Sequence, residues 1–578
     1  MAISTSFRWN PSLAMSAGQR ARAARFCRGR PVVWSLLSLG EPQGEGARRR
    51  GGGTLTPALS GAEDMAAHRR GWRLWGIWLL ALLSLVGVTR AQGQPAGTMT
   101  WALHFSLAPT YFDPAETTGI ATPFKFLYAL HDALLKPMPQ GLLTPSLAES
   151  WTESPDGLAY EFTLREGVTF HDGSPLTAAD VVFSFQRYKG AGAKIFHDKV
   201  QTVEIIDPQR VRFRLREPWP DFLIFIGTPA TGAGWVVPKA YLERVGAEGF
   251  KHHPIGAGPY KFVSHTPGID LVVEAYEGYW RKPPQVKRLV FKSVPEATTR
   301  LAMLKKGEAD VAYTLPGELA EAVRRDPPLR LQVTYPPTPF WLDFSGKWDA
   351  KSPWHDQRVR LAANYAIDRQ AMNEAETLGY SHVTGSIIPH RFPYALPLEP
   401  LPYDPDTSKQ LLKAAGYPHG FDAGDIIPVP PWTAMAEAVA GYLGAIGIKV
   451  QVRSLERPAM FAAWRGKTLQ GVILAASGAI GSASTRLENY VVSWGEYAYG
   501  GMPDLDERFN KQARERDPKR REAMLHELQR LVQERALFVP IFEIAGLNGV
   551  GPRVAESGLG LIATYNWSGP YEDVRLKP

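Results

Sequence analysis

The chain holds one cysteine in 578 residues, Cys27. Every later position lacks a thiol, which excludes disulfides, cysteine nucleophiles and thiolate metal sites together. Also missing are G-x-x-x-x-G-K-[ST], H-E-x-x-H and G-x-S-x-G, so no seat for nucleotide hydrolysis, zinc proteolysis or a serine nucleophile can be read off. The glycine pairs Gly256/Gly258 and Gly558/Gly560 lack the third glycine of a dinucleotide site. His252-His253 is the one adjacent histidine pair, and Pro254-Ile255-Gly256 beside it offers no acid ligand. No catalytic residue, metal site or cofactor is therefore assigned.

A polyanion-binding surface is missing too, despite the formal charge of +8. Residues 1–91 carry thirteen arginines and four acids; setting these aside leaves 52 basic against 53 acidic residues. Nucleic acid is accordingly not an expected partner.

That basic front reads as removable. After Met65 come a short basic start, an apolar run from about Leu74 to Val88, and Thr89-Arg90-Ala91. This is the layout of a signal peptide over residues 65–91, with cleavage expected after Ala91; an uncleaved anchor is the alternative. Arg69-Arg70 lacks the flanking residues of a twin-arginine signal, and no cysteine comes after the apolar run that could carry a lipid anchor. Residues 1–64 show no sustained periodicity and read as a start-site artefact ahead of Met65 or as a disordered leader. The exported part suits a Gram-negative periplasm.

Strands and helices interleave from there on, giving an α/β protein of several layers. Thr100–Phe105 reads as a strand, followed by a turn-rich loop with Tyr111, Phe112 and Asp113 and then a helix over "TPFKFLYALHDALL". "LAYEFTLREGVTFH" alternates on both sides of Glu166-Gly167 and predicts a hairpin; "VQTVEIID" and "RVRFRLREP" are further alternating runs, so the first half is expected to be rich in antiparallel pairs. Helices are expected in "SPWHDQRVRLAANYAIDRQAMNEA", "TSKQLLKAAGY" and "AMAEAVAGYLGAIG", then a strand "IKVQVRSL", and two helices broken near Asp517-Pro518.

The most chemically suggestive stretch is "TFHDGSPLTAADVVFSFQR", Thr169–Arg187. Its residues are better explained as scaffold than as a catalytic or metal loop. Asp172-Gly173 makes a turn after the strand ending at Phe170, and Thr177-x-x-Asp180 caps the next helix.

The same stretch carries a resemblance. Leu143–Arg187, "HPIGAGPYKF" from His253, "YEGYW" ending at Trp280, "RLAMLKKGEADVAY" from Arg300, "RVRLAANYAIDR" ending at Arg369 and "YDPDTSKQLLKAAGYPHGF" ending at Phe421 resemble, in order, the family 5 extracellular solute-binding proteins of bacterial ABC importers. The resemblance runs from about Thr98 to the C-terminus. It implies a type II periplasmic binding protein-like fold of two lobes around a cleft, with an extra subdomain inserted in the first. Lobe I is expected at 92–131, 201–292 and 536–578, the inserted subdomain at 132–200 and lobe II at 293–535, with hinge crossings near Ser293 and Ala536. It further implies a monomer that hands a small-molecule or peptide ligand to a permease driven by a separate ATPase.

Ligand contacts are expected from aromatic residues in loop-like positions: Tyr111 and Phe112; Phe340-Trp341; Trp432; and Trp494, Tyr497 and Tyr499. Trp341 and Trp494 rank first. Peptide binders of the family place an aspartate for the ligand's ammonium in a stretch resembling W-x-A-D-Y-x-D-P. Here Leu474–Tyr490 reads "LAASGAIGSASTRLENY", with no acid before Glu488, and Arg486 favours an acidic or hydroxylated solute. Peptide stands as the family's commonest substrate, beside oligosaccharides, metal chelates and opine-like compounds. A sensor or chaperone receptor and a secreted hydrolase are the rival classes.

Overall fold

The computed structural model describes residues 94–117, 122–478, 481–562 and 569–578. The signal peptide and leader expected at 65–91 and 1–64 lie outside them. Among the described residues no helix is long and apolar enough to cross a membrane. The chain divides into two units, Met1–Arg90 and Ala91–Pro578.

Two large sheets organise the second unit. The first has seven strands in the order Tyr260–Thr266, Asp270–Ala275, Val286–Ser293, Ala96–Leu103, Val311–Ala312, Gly546–Val550 and Arg330–Thr334. Ala96–Leu103 lies at its centre, parallel to both neighbours, and its last three residues are buried. The second has six strands in the order His382–Val383, Val539–Glu543, Pro339–Phe344, Val472–Ala476, Phe421–Pro428 and Ile448–Val452. Val472–Ala476 (VILAA) is buried at every position, as a strand covered on both faces must be.

A separate four-stranded antiparallel sheet, Ala148–Glu153, Ala159–Leu164, Arg210–Leu215 and Val200–Asp207, has its own apolar core around Phe162, Phe213 and Phe222. The alternating runs "VQTVEIID" and "RVRFRLREP" pair antiparallel with each other. The hairpin expected across Glu166-Gly167 is not. Ala159–Leu164 pairs with Ala148–Glu153 and Arg210–Leu215, and the downstream run makes only the Thr169–Pro175 bridge. That run folds back at once: Phe170 N–H donates to Ser174 O (2.9 Å), and Gly173, at φ +85°, closes the turn by donating to Phe170 O (2.9 Å).

Sheet membership also moves the expected boundaries. The strands Val311–Ala312 and Arg330–Thr334 belong to the first sheet, so the chain enters the second between Thr334 and Pro339 and not near Ser293. It returns between Glu543 and Gly546, not near Ala536, because Val539–Glu543 is still a strand of the second sheet. The two crossings run side by side, Ile544 N–H donating to Thr338 O (3.0 Å). The inserted subdomain extends beyond residue 200, since Arg210–Leu215 is a strand of the small sheet.

The Thr169–Arg187 stretch proves to be a junction. His171 Nε2 is 3.0 Å from Gly258 O and its Nδ1 accepts from Gly256 N–H (3.2 Å), which fixes Nε2 as the protonated nitrogen. Gly258 N–H in turn donates to Leu130 O (3.1 Å), and a Cβ at Gly256 would collide with that same carbonyl. This engagement replaces further helical turns: the helix Phe124–Leu130 stops there, short of the span expected, and Asp132–Ala133 is already a strand. Asp180 accepts from Thr177 N–H and Thr177 Oγ1 (both 2.9 Å) as the capping box anticipates, and its other oxygen accepts from Lys239 N–H (2.9 Å). One carboxylate thus serves two helix N-termini.

Candidate functional site

The carboxyl end of the central first-sheet strand delivers His104 and Phe105, and the neighbouring strand end delivers Tyr313, which stacks on His104 (5.8 Å between centroids, 19°). Behind them lies Lys125, fully buried on the Phe124–Leu130 helix. Its Nζ is 3.9 Å from the Trp101 ring centroid and 4.6 Å from that of Tyr313. Burial holds the Lys125 ammonium well below its ordinary pKa. It also pushes His104 down to about 3, with Arg300, Arg457 and Lys125 adding repulsion, so His104 is neutral at physiological pH.

Tyr111 is placed by a clamp. Asp113, fully buried two residues on, receives a bidentate pair of hydrogen bonds from Arg187 Nη1 and Nη2 (both 2.7 Å) and caps Ala115 N–H (3.0 Å). Arg187 ends the Thr169–Arg187 stretch, so that scaffold positions the loop carrying Tyr111. Phe112 turns the other way, into the core, against Phe126, Phe262 and His265.

From the second lobe comes Arg457, the first residue of the helix Arg457–Arg465. Its Nη1 donates to Pro430 O (2.6 Å) and its guanidinium lies 5.2 Å from the Phe461 ring. Arg457 is solvent-accessible, yet protein surrounds it closely enough that desolvation lowers its pKa, while Tyr111 and Tyr497 pull it back up. Its charge in turn acts on His104 and Tyr111 of the first lobe.

The other expected contacts are dispersed through the second lobe. Tyr497 stacks on Tyr490 (5.2 Å, 15°) and leans on Trp464 (4.8 Å), and burial raises its pKa far above the ordinary range. Trp341 is 0% exposed and meets Tyr490 edge-on (5.1 Å), which makes it core packing beneath this group. Trp432 packs on Phe340 (5.1 Å) and, by strand alternation, on the opposite face from Trp341. Trp494 is 50% exposed and touches Phe509 of the Pro503–Arg514 helix, apart from the Tyr490 group. Tyr499 accepts at its hydroxyl from Leu469 N–H (3.1 Å). Arg486 is buried on the helix Ala483–Tyr490, 5.4 Å from the Phe392 ring and 5.7 Å from that of Tyr490, and Nη2 reaches Ser477 O (3.4 Å).

A contact between the inserted subdomain and the second lobe escaped sequence reading. Asp221 receives hydrogen bonds from Arg521 Nη2 (2.5 Å) and Ser482 Oγ (3.3 Å), across 300 and 261 residues, and all three side chains are buried. Glu488, the first acid of the Leu474–Tyr490 stretch, belongs with this group. Its carboxyl is lifted to about 7, by desolvation first and by Asp221 second, with Lys199 and Arg521 opposing. No local pattern could have announced the contact; the only hint was that Ser482 opens a capped helix.

The description "Bacterial extracellular solute-binding proteins, family 5 Middle" matches residues 143–498. The glutathione-binding protein GsiB of Escherichia coli O1:K1 / APEC is 30% identical over 367 residues, 60% of this chain and 69% of that protein. The GsiB of Salmonella typhi is 31% identical over 335 residues, of which the chain spans 63%. Among solved structures, the DppA of Helicobacter pylori in complex with peptide STSA superposes with a TM-score of 0.71 at 22% identity, over 83% of this chain and 98% of that one. AgaA of A.tumefacien R10 in complex with agropinic acid gives 0.71 at 22%, over 83% and 99%. These superpositions establish the type II binding-protein fold, and the chain belongs to family 5 of the bacterial extracellular solute-binding proteins.

Proposed function

We propose that the mature protein, released in the periplasm after cleavage behind Ala91, captures a small peptide-like solute between its lobes as a monomer. It then presents that solute to an ABC permease worked by a separate ATPase. The observation that carries this reading is that the charge of Arg457 in one lobe acts on His104 and Tyr111 in the other. A solute touching both sides gains contacts only when the lobes are together, which is the differential affinity closure requires; a shift from 1:99 to 99:1 takes roughly 5.5 kcal/mol.

The electrostatics favour a solute with an anionic group. Arg457, Lys125 and Arg300 all influence His104, and the acid of the nearby stretch, Glu488, answers to Asp221. The carboxylate of a peptide would find cationic partners there. An anionic peptide resembling the ligand in GsiB's name, or an opine-like acid resembling that in AgaA's complex, fits the same charge pattern. A receptor role is proposed because the family that matches residues 143–498 is one of solute-binding proteins.

The test is mass spectrometry of what co-purifies with the mature protein, followed by thermal shifts with glutathione, dipeptides and opine-like acids. The reading expects one anionic solute recovered intact, with about 2.7 kcal/mol of stabilisation at a hundredfold excess over Kd. Turnover of the bound compound, or preference for cationic solutes, would refute it.

A further inference from the structure

His382, His390 and Glu543 each offer one ligand atom, and these atoms lie within 4.8 Å of one another. Register brings them together. His382 pairs directly with Glu543 across the antiparallel ladder, and Glu543 pairs on its other side with Pro339. His390 returns to the same carboxylate, its backbone N–H donating to Oε1 (2.7 Å) and its Nδ1 lying 3.0 Å from Oε2. The two imidazoles face each other with centroids 4.5 Å apart.

The frame is fixed and the mouth is open. Ser381, next to His382, has its N–H bound to Asn373 Oδ1 and its carbonyl bound by Asn373 Nδ2 (both 2.8 Å), while its Oγ accepts from Ala545 N–H (3.0 Å). Glu543 is 5% exposed, its carboxylate oriented by a backbone donor, whereas His382 is exposed and the His390 side chain is 36% exposed. Two imidazoles and one carboxylate are the donor set of a three-ligand zinc site whose fourth position is left to water. Bonds of about 2.0–2.2 Å require ligand atoms roughly 3.4 Å apart. The His390 Nδ1–Glu543 Oε2 spacing of 3.0 Å needs only a small widening to reach this, and rotation of the exposed His382 ring supplies the rest.

We propose that His382, His390 and Glu543 form a binding site for a borderline divalent cation such as Zn2+, set where the chain passes between its two sheets. Binding puts the metal in place of the proton that His390 Nδ1 shares with Glu543, and that proton passes through solvent to His390 Nε2, so the imidazole stays neutral and none is released net. Arg391, whose Nε lies 3.3 Å from His390 Nε2, must release that nitrogen, which then carries the ring proton. Arg391 and, more distantly, Arg486 are the cations that oppose the metal. Sequence reading considered only the adjacent pair His252-His253; this set spans 161 residues and needs the strand register to be seen.

The test titrates chelator-treated mature protein with ZnCl2 by calorimetry and with CoCl2 by visible absorption. One equivalent of zinc should bind, and cobalt should show the intense ligand-field bands of a four-coordinate site. His382→Ala, which removes an exposed ring and leaves the fold alone, should weaken zinc at least about tenfold, and Glu543→Gln should do likewise. Arg391→Gln should tighten it. His252→Ala/His253→Ala should change nothing. Zinc affinity unchanged by His382→Ala, or abolished by the His252/His253 double variant, overturns the proposal, as does the absence of one-to-one binding.

Discussion

His171 and His104 are both held near pKa 3 by burial, and they show what separates the inserted subdomain's junction from the interlobe space. Around His171 both ring nitrogens meet backbone groups of the segment it fastens, Gly256 and Gly258; His131 and Lys261 add to the lowering of its pKa, and the Gly258 carbonyl and Asp172 oppose it. Around His104 the influences are side-chain cations from three segments, one of them in the other lobe. Polar groups satisfied by backbone within one lobe hold the fold; polar groups facing charge across lobes are available to a ligand. By that criterion the richest-looking sequence, Thr169–Arg187, is scaffold, and the quieter His104, Tyr111 and Arg457 are the residues proposed to meet the solute.

The comparison can be broken most forcefully at the contact that joins subdomain to second lobe. Arg521→Ala leaves Asp221 buried with Ser482 alone, and denaturant unfolding should show a loss of about 3–5 kcal/mol. Next comes Arg187→Ala, which strands the fully buried Asp113. A loss of about 1.5–3 kcal/mol is expected, together with weaker solute binding, because Tyr111 loses its support. Unaltered solute affinity in a folded Arg187→Ala protein would detach the scaffold from the site.

A smaller effect is expected from Glu488→Gln. The folded-state carboxyl titrates near 7 against 4.5 when unfolded, so between these values the folded form holds a proton that the unfolded chain has released. Stability therefore falls as pH rises through that window and stays lowered above it. The variant should match wild type in Tm below about pH 4.5 and exceed it at about pH 8, with the gap opening in between. The smallest effect belongs to Trp494→Ala: half-exposed against Phe509, it should shift stability by no more than about 0.5 kcal/mol and leave solute affinity unchanged.

Much of this was legible in the chain. The ordered blocks from Leu143 to Phe421 give the family and hence the two-lobed fold, and Thr177 with Asp180 announces a capped helix that the structure contains. What was not legible depends on partners distant in sequence. Ala159–Leu164 alternates cleanly, yet alternation does not say that its partners are Ala148–Glu153 and Arg210–Leu215. The lobe crossings were misplaced because Val311–Ala312 is two residues long and the first sheet recruits it by pairing, not by propensity. Aromatic residues in loop-like sequence drew expectation toward Trp341, which strand pairing buries, and away from Arg457, which begins an ordinary-looking helix.

The central claim is that a solute is held between lobes by Arg457 acting with His104 and Tyr111. Calorimetric titration of the co-purifying solute into wild type and Arg457→Ala tests it most directly. The account predicts a loss of affinity of at least about tenfold, roughly 1.4 kcal/mol, with the folded state intact. Equal affinity in the two proteins would contradict it.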